Sequence, residues 1–215
     1  MSINHIGLMI LIRYFLSENR IAYFVGSVVV LLLTISSCVS KTENDQKQRL
    51  EERLNERHNH LQQLAEQVDS TSYSLDATVK DLQNQSRSLN EIIQDTTLIL
   101  RYNQFNCSIC RDMAKDALER FRIVTPFQKE PKIIALVSSY ESKNHWLNME
   151  QTTIPNIEVY NIDTGYLPMP IEDQNVPYFF IIDSKMLIRE VHLAAKEKPN
   201  LTEVYLKQIG KKYWQ

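Results

Sequence analysis

The sequence has little that would suit a nucleic-acid partner. Its 24 Lys and Arg residues are outnumbered by 26 Asp and Glu, the formal net charge is -2, and the basic residues form no strong cluster. Because proteins that hold nucleic acid by charge need a basic surface, we expect no nucleic acid among its partners. The length of 215 residues allows one or two ordinary domains.

Glycine and proline are absent from residues 41–94, where Glu, Gln, Lys, Arg, Asn and Ser predominate. This composition predicts helix, and an apolar residue recurs at every seventh position. These residues are Leu54, Leu61, Val68, Leu75, Leu82 and Leu89. The second apolar column of the heptad is mixed, which is typical of a weak coiled coil. We therefore expect a solvated helical spacer over residues 38–96, with a weak homodimer through this spacer as the alternative.

Cysteine occurs three times, so each residue can be assigned separately. Cys38 follows an apolar run, residues 21–35, which is preceded by Arg20 and is shorter than the ~20 residues of a membrane-spanning helix. The run ends in Ile35-Ser36-Ser37-Cys38, which resembles a bacterial lipobox, whose cysteine is lipidated and becomes the mature N-terminus. We expect residues 1–37 to be a lipoprotein signal peptide, with an uncleaved signal anchor as the alternative.

Either leader places the rest of the chain outside the cytoplasm. The expected location is the bacterial cell envelope, with the protein held to the membrane through lipid or anchor and its domain facing the periplasm. There a dithiol can cycle away from the glutathione buffer. The length of the leader makes Met9 an alternative start to Met1.

The other two cysteines lie where a predicted strand, a polar break and a predicted helix meet. The apolar run Leu98 to Leu100 is of strand length, and Cys107-Ser108-Ile109-Cys110 opens the helical pattern after it. The first turn of a helix carries unpaired N–H groups and a positive partial charge, which favour a thiolate at Cys107. Cys110 can reach back to it, so the pair can exchange disulfides.

This stretch resembles the thioredoxin superfamily, especially its membrane-tethered, TlpA-like bacterial branch, from about Thr97 to the C-terminus. Val176-Pro177, followed by an apolar run to Ile182, resembles the cis-proline and strand that face the active cysteines in that family, with an ordinary trans proline at the start of the strand as the alternative. The resemblance implies an α/β domain over residues 97–215, with a thioredoxin-like mixed sheet flanked by helices. It also implies that Val176 and Pro177 bind substrate, the Val176 backbone pairing with an extended client segment.

Two residues depart from the family pattern. Asn106 stands where an aromatic residue usually precedes the first cysteine, and Arg101 stands where many thioredoxins bury an acidic residue. The redox potential and the route by which Cys110 loses its proton therefore do not follow from the resemblance.

The activity that the resemblance implies is thiol-disulfide exchange with client proteins, with this protein as the reductant and an oxidant as the alternative. Cys107 would be the nucleophile and Cys110 the resolving thiol, and the Cys107–Cys110 disulfide would take the place of a cofactor. The partners would be clients with thiols or disulfides and a membrane or periplasmic electron donor.

Three other roles for the cysteine pair stay open. The first is a binding or redox-sensing module of the same fold that does not turn over, and the second is a structural disulfide. The third is a zinc site completed by His145 and His192, although a structural zinc needs four ligands and the spacing of these histidines does not support it. We therefore expect no metal.

Overall fold

The computed structural model describes residues 44–69, 73, 75–138, 150, 157–162 and 164–215. The expected signal peptide, the alternative start at Met9, Cys38 and His145 lie outside the described residues. The chain divides into two compact units, Met1–Leu54 and Asn55–Gln215. Within the described ranges, no helix combines the length and the apolar character needed to cross a bilayer.

Seven strands and four helices make up the described part of the chain. In order they are α1 (residues 44–69), β1 (Thr78–Lys80), β2 (Ser86–Ser88), α2 (Leu89–Ile92), β3 (Thr97–Asn103), α3 (Ser108–Val124), β4 (Lys132–Ser138), β5 (Glu158–Ile162), β6 (Tyr178–Ile182), β7 (Ile188–Leu193) and α4 (Pro199–Tyr213). A 3₁₀ turn, Glu172–Gln174, precedes β6.

The strands form one mixed sheet in the order β2-β1-β5-β4-β3-β6-β7. The three neighbours β5, β4 and β3 are parallel, and the remaining pairs are antiparallel. All residues of β3 are buried, because this strand has neighbours on both edges and packed layers on both faces, as its continuous apolar run predicts. The mixed sheet flanked by helices is therefore confirmed.

Alternate residues of β3 face opposite sides of the sheet. Leu98 and Leu100 belong to a core with buried residues of α3 and α4. Ile99 belongs to the core on the other face, together with Leu61 and Val68 of α1 and with Leu89 of α2. The sheet is thus the middle layer of three, and α1 helps to cover one face.

The helical spacer predicted over residues 38–96 differs from the structure. Among the described residues, helix α1 ends at residue 69, and β1, β2 and α2 follow it before β3. Leu61, Val68, Leu75 and Leu89 of the heptad series are buried in the core. A seven-residue spacing places side chains on one face of a helix, whether that face meets a second helix or a sheet. The compact unit accordingly begins at Asn55 rather than Thr97, and Leu61 and Val68 are not available to a seam with a second copy.

Truncation of Leu61 tests this placement of α1. Leu61 is 3% exposed, so L61A should lower the free energy of unfolding by about 2–5 kcal/mol, through lost burial and the cavity left behind. The measurement is urea denaturation followed by circular dichroism. The control is L50A on the same helix, where Leu50 is 58% exposed and the change should stay within about 0.5 kcal/mol. Equal effects of the two substitutions would contradict the packing of α1 in the core and favour the helical spacer.

Candidate active site

A tight turn connects β3 to the first cysteine. The side-chain oxygen of Asn106 accepts the Asn103 N–H at 2.9 Å, and that of Asn103 accepts the N–H groups of Phe105 and Asn106, each at 2.9 Å. Asparagine stabilises turns through side-chain bonds of this kind, and both residues are buried. Asn106, which directly precedes the first cysteine, therefore helps to build the turn that places Cys107.

Cys107 and Cys110 take the positions predicted for them between strand and helix. Cys107 is the N-cap of α3, and Cys110 lies in its first turn. Cys107 is half-buried and Cys110 is buried, and both are thiols. The pair thus combines a cysteine that a partner can reach with one that is enclosed.

The surroundings of Cys107 favour its thiolate. The thiol of Cys110 donates a hydrogen bond to Cys107, and this is the largest effect that lowers the pKa of Cys107. The backbone N–H groups of Cys110 and Ile109 and the ammonium of Lys196 also lower it, while partial burial opposes them. Arg111, which follows the cysteine pair, instead acts on Tyr102, so the cation that serves Cys107 is Lys196.

The surroundings of Cys110 favour its neutral thiol. Burial raises the pKa of Cys110 to about 11, and the hydrogen bond with Cys107 and the charge of Glu197 act in the same direction. The backbone N–H of Lys196 opposes them. At neutral pH Cys107 is therefore the more reactive of the two thiols, because the thiolate is the reactive form.

Lys196 and Glu197 are site residues that sequence reasoning missed. They lie in the turn between β7 and α4, and the contacts above bring them beside the first turn of α3. Nothing in their local sequence marks this role, because it arises only when the end of β7 meets the cysteine pair.

The expected cis bond before Pro177 is not found, since the Val176–Pro177 peptide is trans. The chain instead turns at Asn175, which has a φ of 54°, in the left-handed region that asparagine tolerates. The Asn175 carbonyl accepts the Cys107 N–H at 3.3 Å, and the Pro177 carbonyl accepts the Ala194 N–H at 2.8 Å. Val176 is only 2% exposed, so the loop contacts the cysteines while its expected client-pairing residue is enclosed.

A buried ion pair connects this loop to strand β3. The guanidinium of Arg101 on β3 contacts both carboxylate oxygens of Glu172, through Nε at 2.7 Å and Nη2 at 2.9 Å. It also donates to the carbonyls of Tyr102 at 2.8 Å and Gly165 at 2.9 Å, and the hydroxyl of Tyr178 on β6 donates to Glu172. A buried ion pair is stable only when its remaining polar groups are satisfied in this way.

His192, proposed in the zinc alternative, is occupied by other contacts. Its Nε2 lies 3.0 Å from the Thr202 hydroxyl, and its ring stacks on Tyr205 with centroids 4.7 Å apart. Burial lowers the pKa of His192 to about 4. Among the residues that the structure describes, no three His, Cys, Asp or Glu side chains are grouped so as to hold a metal ion.

No protein-family model and no curated protein matches the chain. Among solved structures it is similar to the thioredoxin domain of a thiol-disulfide oxidoreductase from Bacteroides vulgatus, with 16% identity over 63% of this chain and 97% of that one and a TM-score of 0.41. It is also similar to an exposed lipoprotein thioredoxin from Streptococcus pneumoniae, with 16% identity, coverage of 62% and 98%, and a TM-score of 0.38. A third similar structure is a peroxidoxin from Mycobacterium tuberculosis, with 14% identity over 64% of this chain and 96% of that one and a TM-score of 0.41. At these values the likenesses do not establish a function.

The strand pairing and helix packing of the chain itself define its fold. Parallel β3 and β4 are joined through α3, antiparallel β6 and β7 follow beside β3, and α4 packs with α3 on one face. The cysteine pair opens α3 directly after β3. The chain has a thioredoxin-like fold.

Alkylation should distinguish the two cysteines. Because the pKa of Cys107 is lowered and that of Cys110 is about 11, iodoacetamide at pH 7 should label Cys107 first. Labelling of Cys110 should keep rising above pH 9, since the thiolate is the reactive form. Mass spectrometry of timed samples measures both rates. In C110A, which lacks the donated hydrogen bond, labelling of Cys107 at pH 7 should slow, and equal rates at the two cysteines of the unmodified protein would contradict this assignment.

The ion pair beneath the loop can be tested separately. E172Q leaves the buried Arg101 charge without its counter-ion and should cost about 3–5 kcal/mol of unfolding free energy. The matched control is E203Q, because Glu203 pairs with Arg120 on the surface and such pairs contribute about 0–1 kcal/mol. Urea denaturation measures both variants, and a similar small loss in each would show that Arg101 does not depend on Glu172.

Proposed function

We propose that the protein is a thiol-disulfide oxidoreductase that reduces disulfides of client proteins. The observation that carries the proposal is the unequal pair at the start of α3, in which Cys110 donates its hydrogen bond to the more accessible Cys107 and the two pKa values move apart. An exchange enzyme needs one thiolate that attacks and a second thiol held in reserve.

The reaction follows from this pair. The Cys107 thiolate attacks one sulfur of a client disulfide, a mixed disulfide forms, and the other client sulfur leaves as a thiolate. Cys110 then loses its proton and attacks the Cys107 sulfur, which releases the second client thiolate. The client gains two electrons and the Cys107–Cys110 pair becomes a disulfide, so no separate cofactor is needed.

Apolar side chains beside the nucleophile suit a protein client. Phe105 is 62% exposed and Ile109 is 56% exposed, and the two lie on either side of Cys107 in the sequence. Exposed large apolar residues near a reactive group favour contact with a partner. Since Val176 is enclosed, we propose that clients contact Phe105 and Ile109 at least as much as they pair with the Val176–Pro177 segment.

The cellular setting of the proposal comes from the leader. Either a lipidated Cys38, left as the N-terminus once residues 1–37 are removed, or residues 1–37 retained as an anchor would hold the protein to the membrane of the cell envelope, with its domain in the periplasm. A membrane or periplasmic donor would return the Cys107–Cys110 disulfide to the dithiol. Outside the cytoplasm such a donor is required, because no glutathione buffer re-reduces the pair.

A binding or redox-sensing module is the second candidate. The enclosed Val176 favours it, because it leaves less open surface for a client than the family resemblance implies. Such a module would close and open its disulfide without passing electrons to clients.

Two serine variants test the proposed activity. C107S should abolish reduction of insulin in the presence of dithiothreitol, because the attacking thiolate is gone. C110S should accumulate mixed disulfides with clients, seen on non-reducing gels, because the resolving thiol is missing. Equal trapping by both variants would overturn the assignment of roles, and an unmodified protein that forms its own disulfide but reduces no insulin would favour the sensing module.

A further inference from the structure

The resolving step has a requirement that the cysteine pair does not meet by itself. Cys110 must lose its proton before it attacks. Burial is the largest cause that raises its pKa in the free dithiol, and this cause does not depend on whether Cys107 is bound to a client. A nearby proton acceptor would remove this barrier, and such groups typically contribute about 10²–10⁴-fold.

Two buried carboxylates are already engaged elsewhere. Glu172 is paired with Arg101 and accepts the Tyr178 hydroxyl. Glu150 is paired with Lys115 and accepts the Tyr102 hydroxyl. Both are therefore bound to fixed partners, and neither is among the groups that act on Cys110.

Glu197 is placed differently. Its side chain is 10% exposed, and its Oε1 lies 3.3 Å from Nη1 of Arg57. Its Oε2 is buried and accepts no hydrogen bond from any residue that the structure describes. The preceding residue, Lys196, directs its backbone N–H at Cys110, which fixes the Glu197 turn against the resolving thiol.

We propose that Glu197 is the proton acceptor for Cys110 in the resolving step. The inference rests on the proposed function, since it assigns a step of the same exchange reaction. Because Oε2 has no hydrogen-bond contact with the Cys110 thiol, the proton passes to it through one bridging water as the Cys110 sulfur bonds to Cys107. The bond between Cys107 and the client sulfur breaks, and its electron pair stays on the client thiolate. Glu197 then returns the proton to the client thiolate or to water.

The groups around this carboxylate come from three elements. Helix α1 supplies Arg57 and His58, the turn itself supplies Lys196 and Lys198, and α3 supplies Cys110. The pKa of His58 is lowered, first by burial and then by Lys198, against the opposing charge of Glu197. Cations thus predominate near Glu197, and Arg57 holds one oxygen while the other remains available.

The test uses E197Q and 5,5′-dithiobis(2-nitrobenzoate) in a stopped-flow instrument. The first release of thionitrobenzoate reports attack by Cys107, and the second reports attack by Cys110 on the resulting mixed disulfide. E197Q should slow the second phase at pH 7 by about tenfold or more and leave the first phase nearly unchanged. The second phase of E197Q should then rise about tenfold for each pH unit, because water must take the proton instead.

The direction of the change separates this role from simple charge repulsion. Glu197 raises the pKa of Cys110, so if it acted only by repulsion, E197Q would ionise Cys110 more readily and speed the second phase. That outcome, or no change, would overturn the proposal. Equal slowing of both phases would also overturn it, since it would indicate a distorted site.

The matched control is E203Q, which removes the same charge from an exposed position on α4 and should leave both phases unchanged. If the unmodified protein released a single thionitrobenzoate, the pair would not close. That result would overturn the proposed function, and the assignment of Glu197 with it. A normal second release that is insensitive to E197Q would overturn the assignment of Glu197 alone.

Discussion

The pair of Arg101 and Glu172 is the constraint on which the site depends. A charged guanidinium in the middle strand of a sheet is costly unless it is matched in full. Glu172 matches it from the 3₁₀ turn before β6, and the carbonyls of Tyr102 and Gly165 take its remaining donors. Because these partners lie on β3 and on the loop before β6, satisfying one charge fixes that loop to the sheet. The same loop brings the Asn175 carbonyl to the Cys107 N–H.

The same pair determines where the site can obtain its other charges. Because Arg101 and Glu172 are paired with each other, the charges next to the cysteines come from the turn after β7. Lys196 acts on Cys107 and Glu197 on Cys110. Arg57 of α1 holds Glu197, so a helix that precedes the sheet in the sequence takes part in the electrostatics of the site.

Features set by neighbouring residues could be predicted from the sequence. The apolar run of β3, the asparagine turn and the helical spacing of α3 locate the cysteine pair. Features set by long-range packing could not be predicted in this way. The heptad spacing of Leu61 and Val68 fits a sheet face as well as a partner helix, so the sequence pattern did not place α1 in the core. The trans bond before Pro177 and the position of Glu197 likewise depend on how distant segments meet, which no local pattern records.

Equilibrium and rate at this site rest on different groups. The hydrogen bond from Cys110 lowers the pKa of Cys107, and burial followed by this same bond raises that of Cys110. The preference for attack by Cys107 therefore needs no external acid or base, and it is set where α3 begins. The same burial makes Cys110 the harder thiol to ionise. A base can speed the deprotonation of Cys110 without changing which cysteine attacks first. For this reason the base can come from a turn outside the strand-helix motif.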